Sequence, residues 1–116
     1  MSPTQRTKAK LKAEGVTCQI VERWNAYAKV RVDLFGCIDI IAIRAGKILG
    51  IQCTDGTSHS KREEKARLEP RIREWVAAGA GFEVWSWRRL AARRPDRSII
   101  GKRKVWTLRV SSPVVA

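Results

Sequence analysis

The sequence predicts a single α/β domain with a mixed central β-sheet flanked by helices. A chain of 116 residues has the length of one domain. Two apolar segments, residues 37–44 and 48–54, are joined by a turn at residues 45–47. Their near-continuous apolarity is typical of central strands that are covered on both faces. A helical stretch separates them from further strands, and helices layered on a sheet would bury all of these strands.

The chain is predicted to open with a short basic helix. Ser2 is a favourable N-cap, Pro3 suits the first helical position, and Gln5 lies where a capping box needs it. Gly15 is the expected stop. The helix has only a weak apolar stripe.

A strand is predicted over residues 16–24, where side chains alternate between two faces and Glu22 shares the face of Val16. Residues 25–29 read as a loop. After the two central strands, a turn at residues 55–59 leads into a helix that reaches about residue 78. Pro70 predicts a kink or a break inside that helix.

The C-terminal part is predicted to contain two strands, residues 82–87 and 105–110, separated by a basic loop or hairpin arm at residues 88–104. Three of the five tryptophans fit core positions by periodicity. They are Trp75, Trp85 and Trp106.

The charge of the chain points to a polyanionic partner. The formal net charge is +13, from 24 Lys and Arg residues against 11 Asp and Glu residues. Nucleic acid is the favoured partner. An anionic membrane is disfavoured, because the basic N-terminal helix lacks the large apolar residues that an interfacial helix needs.

Other features of the composition disfavour a membrane span, a secretory signal and a zinc site. No apolar run has the length of a membrane span, and the N-terminus lacks the apolar core of a secretory signal. The three cysteines form no C-x-x-C pair and His59 is the one histidine, which disfavours a zinc site. We therefore expect reduced, buried thiols in a cytoplasmic protein.

Polar side chains interrupt the two central strands at corresponding points. Asp39 lies at the start of the first, and Gln52 and Thr54 lie two residues apart on the second. Residues at i and i+2 share a face, so the three side chains can meet on one side of a hairpin. An acid, an amide oxygen and a hydroxyl on a basic protein suggest a metal and phosphate site. Structural alternatives remain: Asp39 could accept bonds from turn amides, Gln52 could bond a neighbour, and Thr54 could serve as a strand former.

This arrangement resembles the PD-(D/E)xK nuclease superfamily, and most closely its small resolvase-like and phage-type members. The resemblance covers about residues 1–88, and leaves residues 89–116 as a basic arm with a final strand. In that family an Asp enters the second strand of an αβββαβ, restriction-endonuclease-like core, and an acid-x-Lys triplet lies on the third strand. The segment Gly36-Cys-Ile-Asp39 matches the first motif, and Gln52-Cys53-Thr54 takes the place of the second. Gln replaces the second carboxylate and Thr replaces the Lys.

The resemblance implies a Mg²⁺ or Mn²⁺ ion held by oxygen ligands. Asp39 and Gln52 would supply side-chain oxygens, and Cys53 its backbone carbonyl. Glu22 is the favoured second carboxylate, ahead of Asp33 and Asp55. In place of the missing lysine, Lys61 or Lys65 at the start of the following helix could reach back to the site, although both also fit a solvated helix face.

The resulting expectation is a metal-dependent endonuclease that hydrolyses DNA phosphodiester bonds in a prokaryotic cell or a phage-infected host. The competing expectation is a non-catalytic DNA-binding protein on the same scaffold. No residue pattern suggests base readout, so recognition should depend on backbone and shape. Cutting both strands of a duplex would suit a two-fold dimer.

Contacts with DNA are expected at two places. The first is the turn and helix start after Asp55, where backbone amides favour phosphate. The second is the basic arm. The residues concerned are His59, Lys61, Arg62, Arg88, Arg89, Arg93, Arg94, Arg97, Lys102, Arg103 and Lys104.

Overall fold

The computed structural model describes residues 1–115 and has the predicted α/β class. Three helices and seven strands follow one another, with a short 3-10 turn at Gly56–Ser58 before the second helix. In chain order they are α1 (Pro3–Ala13), β1 (Thr17–Ile20), β2 (Arg23–Asn25), β3 (Val30–Val32), β4 (Ile40–Arg44), β5 (Lys47–Asp55), α2 (His59–Leu68), α3 (Pro70–Ala77), β6 (Gly81–Arg93) and β7 (Ile99–Ser111).

Five strands form one mixed sheet in the order β1-β4-β5-β6-β7, so β1 and β7 are its edges. The pair β5–β6 is parallel and the other pairs are antiparallel. A parallel pair needs a crossover, and α2 and α3 provide it. Strands β2 and β3 form a separate antiparallel ribbon.

The sheet is covered on both faces, as its apolar central strands predict. Leu11 of α1 packs on one face with Ile40, Ile51 and Trp85. On the other face Ile72 of α3 belongs to a second cluster, completed by Cys37, Ile38, Ala66, Phe82, Val84 and Val114. Strand β5 alternates between these layers, which directs Gln52 and Thr54 to the side of α2 and α3.

Helix α1 docks largely through polar contacts, which explains its weak apolar stripe. The Ser2 hydroxyl accepts a hydrogen bond from Gln5 N at 3.2 Å and confirms the predicted cap. Trp87 Nε1 donates to Thr7 Oγ1 at 2.9 Å, and Thr7 is fully buried. Gly15 follows the helix end with φ +74°, the left-handed conformation that suits glycine.

The predicted break at Pro70 is confirmed. Helix α2 ends at Leu68, and Glu69 has an extended backbone. The Glu69 side chain then accepts from Arg71 N and caps α3. The residue before a proline avoids the helical region, so one helix becomes two.

The predicted strand over residues 16–24 is wrong in its second half. Strand β1 ends at Ile20, and Val21 N and Glu22 N both donate to Asp39 O, at 2.8 and 3.3 Å. The chain then leaves the sheet and forms the β2–β3 ribbon. The turn of this ribbon lies within the loop predicted at residues 25–29. Glu22 therefore lies at the end of β1, close to Asp39, and does not continue the ladder.

The strand predicted over residues 37–44 begins later, at Ile40. The residues before it form a tight turn that is closed by a bridge between Leu34 and Ile38. Phe35 and Gly36 both have positive φ there, 52° and 75°. Asp39 thus lies just outside β4, where its backbone N–H donates to Ile51 O at 2.9 Å.

The basic segment 88–104 is a hairpin arm, the second of the two predicted alternatives. Strands β6 and β7 extend into it and pair in antiparallel fashion as far as Arg93 and Ile99, with a shift of register between Ala91 and Arg93. The predicted core position of Trp106 is wrong, since this residue is 45% exposed. Its ring lies under the Arg6 guanidinium, 3.7 Å from the centroid, because α1 covers that face only in part.

The three cysteines are free thiols, as predicted, with Cys37 and Cys53 buried and Cys18 partly buried. Among residues 1–115, no helix combines the length and apolarity needed to cross a lipid bilayer. Ala116, the last residue of the predicted arm and final strand, lies outside the described residues.

Candidate functional site

Three carboxylates meet where the β1 end, the turn before β4 and strand β5 come together. Glu22, Asp33 and Asp39 each bring a carboxylate oxygen within 4.8 Å of the others. Glu22 follows β1, Asp33 follows β3, and Asp39 precedes β4. The turn from Leu34 to Ile38 folds Asp33 back towards Asp39.

The Asp39 carboxyl is fixed to the central strand. It is buried, with 3% of its surface exposed. Its Oδ2 accepts a hydrogen bond from Cys53 N at 2.7 Å and another from Gln52 Nε2 at 3.0 Å. A buried acid needs such partners, and the two bonds hold its orientation.

Burial raises the pKa of Asp39 to about 8, and bonding to the Asp33 and Glu22 carboxyls adds to this rise. The Cys53 amide acts in the opposite direction. Without a cation to balance them, neighbouring carboxyls share protons, because like charges at this distance disfavour full ionisation. This environment would gain stability from a positive ion.

Gln52 supplies a further oxygen at the cluster. The side chain is 2% exposed, and its Nε2 is used by Asp39. Its Oε1 is the one fully buried side-chain polar atom among residues 1–115 that lacks a hydrogen-bond partner. An orphaned buried acceptor is costly, and a cation within reach of this oxygen would satisfy it.

The sequence predicts Asp33 and Asp55 equally as weaker candidate ligands, but the two residues have different roles in the structure. Asp33 belongs to the cluster. Asp55 instead accepts hydrogen bonds from the Thr57 hydroxyl, Thr57 N and Ser58 N, and these bonds, the hydroxyl first, lower its pKa. The Asp55-Gly sequence followed by Thr is a turn signal that indicated this role.

The three residues of the Gln52-Cys53-Thr54 triplet contribute unequally to the site. Cys53 contacts Asp39 through its backbone N–H. Its side chain belongs to the core on the α1 side, where burial raises the thiol pKa to about 12. Thr54 is buried beside Ser86 of β6, its partner in the parallel register. Gln52 is therefore the member of the triplet whose side chain reaches the acids.

The two candidate lysines lie on the outer face of α2. Lys61 and Lys65 are exposed, and neither makes a hydrogen bond or ion pair with the acidic cluster among residues 1–115. Lys65 is the closer of the two to the turn before β4. Burial raises the pKa of Cys37 in that turn, and the Lys65 charge opposes the rise while Asp33 adds to it.

His59 is not the surface residue that a phosphate contact requires. It begins α2 and is 1% exposed. Its Nδ1 bonds Ser86 Oγ at 2.6 Å and its Nε2 bonds Ser111 Oγ at 2.8 Å. Burial lowers its pKa, and so does the nearby Arg109 charge. The sequence offered no signal for this pairing, because both serines come from distant strands.

Two elements carry much of the positive charge of the protein. The hairpin arm carries its basic residues on exposed positions beyond Trp87. Helix α1 adds Arg6, Lys8, Lys10 and Lys12 on the opposite face of the sheet. Glu22 is itself 3.5 Å from Arg31 of the ribbon.

Glu22, Asp33 and Asp39, together with Gln52, form an acidic cluster rich in oxygen atoms on a strongly basic protein. The function of this cluster has to be inferred from its geometry. Comparisons with protein-family models, with curated proteins and with solved structures give no match to this chain.

Proposed function

We propose that this protein is a metal-dependent endonuclease that hydrolyses DNA phosphodiester bonds, selects DNA by structure, and is built on a degenerate PD-(D/E)xK scaffold. One observation carries the proposal. Three carboxylates lie together beside the start of β4, next to Gln52 of β5, whose amide oxygen has no hydrogen-bond partner. The sheet order, with an antiparallel β1-β4-β5 meander, a helical crossover and parallel β6, is compatible with a restriction-endonuclease-like core.

The donor set fits a hard divalent cation. Glu22, Asp33 and Asp39 offer charged oxygens and Gln52 a neutral one, which suits Mg²⁺ or Mn²⁺. Such an ion makes a nearby water more acidic and offsets negative charge on the scissile phosphate. Cys53 N–H keeps Asp39 oriented, so the protein need not reorganise when DNA arrives. The basic arm would hold the DNA backbone through phosphate contacts.

The rival proposal, a DNA-binding protein that has lost catalysis, draws support from the missing lysine. Thr54 stands at the lysine position, and among residues 1–115 Lys65 makes no ion pair with the three carboxylates. The water would then lack a neighbouring ammonium group to position it. The acid cluster argues for the enzyme, since Glu22 alone of the three carboxylates has a cationic partner, Arg31, among residues 1–115, and a bound cation would balance Asp33 and Asp39.

An assay of DNA cleavage tests the proposal. The protein should convert supercoiled plasmid, or a branched DNA junction, to cut products with Mg²⁺ or Mn²⁺, and EDTA should abolish the reaction. Preparations of wild type and Asp39→Asn should be made in parallel, because a contaminating nuclease would act in both. Binding of these DNAs without any metal-dependent cut would establish the rival.

The pH dependence of stability should report the acid cluster without a DNA substrate. The unfolded chain loses the Asp39 proton near the ordinary pKa of 3.8, whereas the folded protein keeps it to about pH 8. Between these values the folded state binds more protons, so this group lowers the free energy of unfolding as the pH rises. Relative to Asp39→Asn, the wild-type Tm should therefore fall between about pH 5 and about pH 8.

Added Mn²⁺ should reverse that loss at the higher pH, because a cation that binds only the folded state raises its stability. The Tm of wild type should rise and that of Asp39→Asn should stay unchanged. An equal rise in both proteins would mean that the ion binds elsewhere.

A further inference from the structure

A second polar feature lies on the α2 side of the sheet, beyond the start of that helix. It is a cavity of about 140 Å³ between β6, β7 and the turn before α2. Its lining residues are Gly56, Ser86, Arg88, Leu90, Thr107 and Arg109. The cavity is separate from the acidic cluster, although Arg88 also belongs to the basic arm and Ser86 bonds His59.

Strand register explains why two arginines converge there. Ser86 is paired with Arg109, and Arg88 with Thr107, across the β6–β7 ladder. Residues that are directly opposite in a pair point to the same face, and Ser86 and Arg88 are two residues apart on one strand. Both guanidinium groups therefore lie on the face that the cavity occupies.

The charge of the cavity is unbalanced. Among residues 1–115, neither Arg88 nor Arg109 makes a hydrogen bond or an ion pair through its side chain, and no carboxylate lines the cavity. Glu63 of α2 lies on this side of the sheet, and its carboxylate accepts a hydrogen bond from the Ser111 hydroxyl at 2.8 Å. Two guanidinium groups with free donors favour a group with several anionic oxygens.

Gly56 fixes the position of Arg88. A side chain at this glycine would meet Arg88 Nε at 2.7 Å and Arg88 Cβ at 2.9 Å. The absence of a side chain lets the arginine stem lie across the turn. The guanidinium is thereby held at the cavity and loses less freedom when a ligand binds.

A buried hydrogen-bond chain holds the floor of the cavity. Ser111 Oγ donates to Glu63 Oε2, so it accepts from the His59 Nε2–H. His59 Nδ1 then lacks a proton and accepts from the Ser86 hydroxyl. Ser86 is 2% exposed and its one proton is used by His59, so the donors that face the cavity are those of the two arginines.

We propose that this cavity binds a phosphate group through Arg88 and Arg109. Its volume of about 140 Å³ is sufficient for one phosphate group. The phosphate could belong to the DNA backbone or to a DNA end, and both present the same oxygens. The inference concerns binding alone and does not depend on the proposed cleavage.

Inorganic phosphate is the first probe, titrated by calorimetry at constant ionic strength with EDTA present. Arg88→Gln and Arg109→Gln should each weaken phosphate binding by about tenfold or more, since each removes charge-assisted hydrogen bonds. Arg89→Gln is the matched control. It removes the same charge from the next residue of β6, whose side chain points to the opposite face and approaches Trp106.

DNA probes then distinguish the two sources of phosphate. Three duplexes are compared in EDTA: a covalently closed dumbbell, the same duplex with a 5′-phosphate nick, and the same duplex with a 5′-hydroxyl nick. Arg73→Gln, which removes an exposed charge from α3 outside the proposed DNA contacts, is the control for these DNA probes. If Arg88→Gln weakens all three more than Arg73→Gln does, the cavity holds a backbone phosphate. If the excess loss is confined to the phosphorylated nick, it holds a terminal phosphate. Equal losses of inorganic phosphate binding in Arg88→Gln and Arg89→Gln would overturn the proposal.

Discussion

Replacement of Asp39 by asparagine is expected to lower the rate of metal-dependent DNA cleavage by about a thousandfold. The amide has nearly the same shape but lacks the charge that holds a divalent cation. Loss of several kcal/mol of metal-assisted stabilisation corresponds to a rate loss of this order. Single-turnover cleavage of the preferred DNA, with Mg²⁺ in excess, measures the effect.

Folding should survive this substitution, because the hydrogen bonds around Asp39 can be kept. The new amide oxygen can take the place of Oδ2 and accept from both Cys53 N and Gln52 Nε2, which now donate to the carboxyl at 2.7 and 3.0 Å. The new amide nitrogen then takes the place of Oδ1 and can donate to the neighbouring carboxylate of Glu22 or Asp33. DNA affinity should stay the same or rise, since a negative group facing the phosphates is removed.

Two further variants sharpen the experiment. Asp96→Asn changes an exposed acid at the tip of the hairpin arm and should leave the cleavage rate unchanged. Gln52→Ala should reduce cleavage less than Asp39→Asn does, because a neutral ligand contributes less to cation affinity. Cleavage by Asp39→Asn at the wild-type rate would remove this carboxyl from the mechanism.

DNA binding is expected to weaken by about a thousandfold between about 50 mM and about 200 mM monovalent salt. The net charge of +13 and the exposed basic residues of the arm motivate this expectation. Neutralisation of about six phosphates gives a slope near −5 when log affinity is plotted against log salt. Fluorescence anisotropy of labelled duplexes of unrelated sequence, in EDTA, should give similar slopes for each.

The arm can be tested within the same measurement. Joint replacement of Lys102, Arg103 and Lys104 by glutamine should make the slope shallower by about 0.9 for each phosphate contact that is lost. The fold should tolerate the change, since all three side chains are exposed. A wild-type slope close to zero would rule out nucleic acid as the partner that the charge serves.

Local signals carried most of the fold prediction. The apolar runs located β4 and β5, the Ser2 to Gln5 box located the start of α1, and Pro70 located the break between α2 and α3. Each of these depends on a few adjacent residues and on chain chemistry alone. The convergence of Asp39 and Gln52 was likewise predictable, because a short turn fixes the register of a hairpin.

Long-range geometry decided the rest. Asp33 joins the acids because a turn with positive φ at Phe35 and Gly36 folds the chain back, and the sequence marks that turn only by its glycine. His59 is buried by serines from β6 and β7 that are far away along the chain. The predicted DNA contact at His59 fails for this reason, while Arg88, Arg89 and the other arm residues remain exposed.

The position of β7 at the edge of the sheet has a consequence for how copies of the protein meet. Among residues 1–115, this 13-residue strand pairs only with β6, so one side of its backbone is free to pair with another chain. The charges of Lys102, Arg103, Lys104 and Arg109 would oppose pairing with the same strand of a second molecule. If DNA binds as proposed, it would neutralise that charge and so remove the barrier between neighbouring edges. We therefore expect β7 edges of neighbouring copies to associate when the protein coats DNA densely, and we expect little association when DNA is absent.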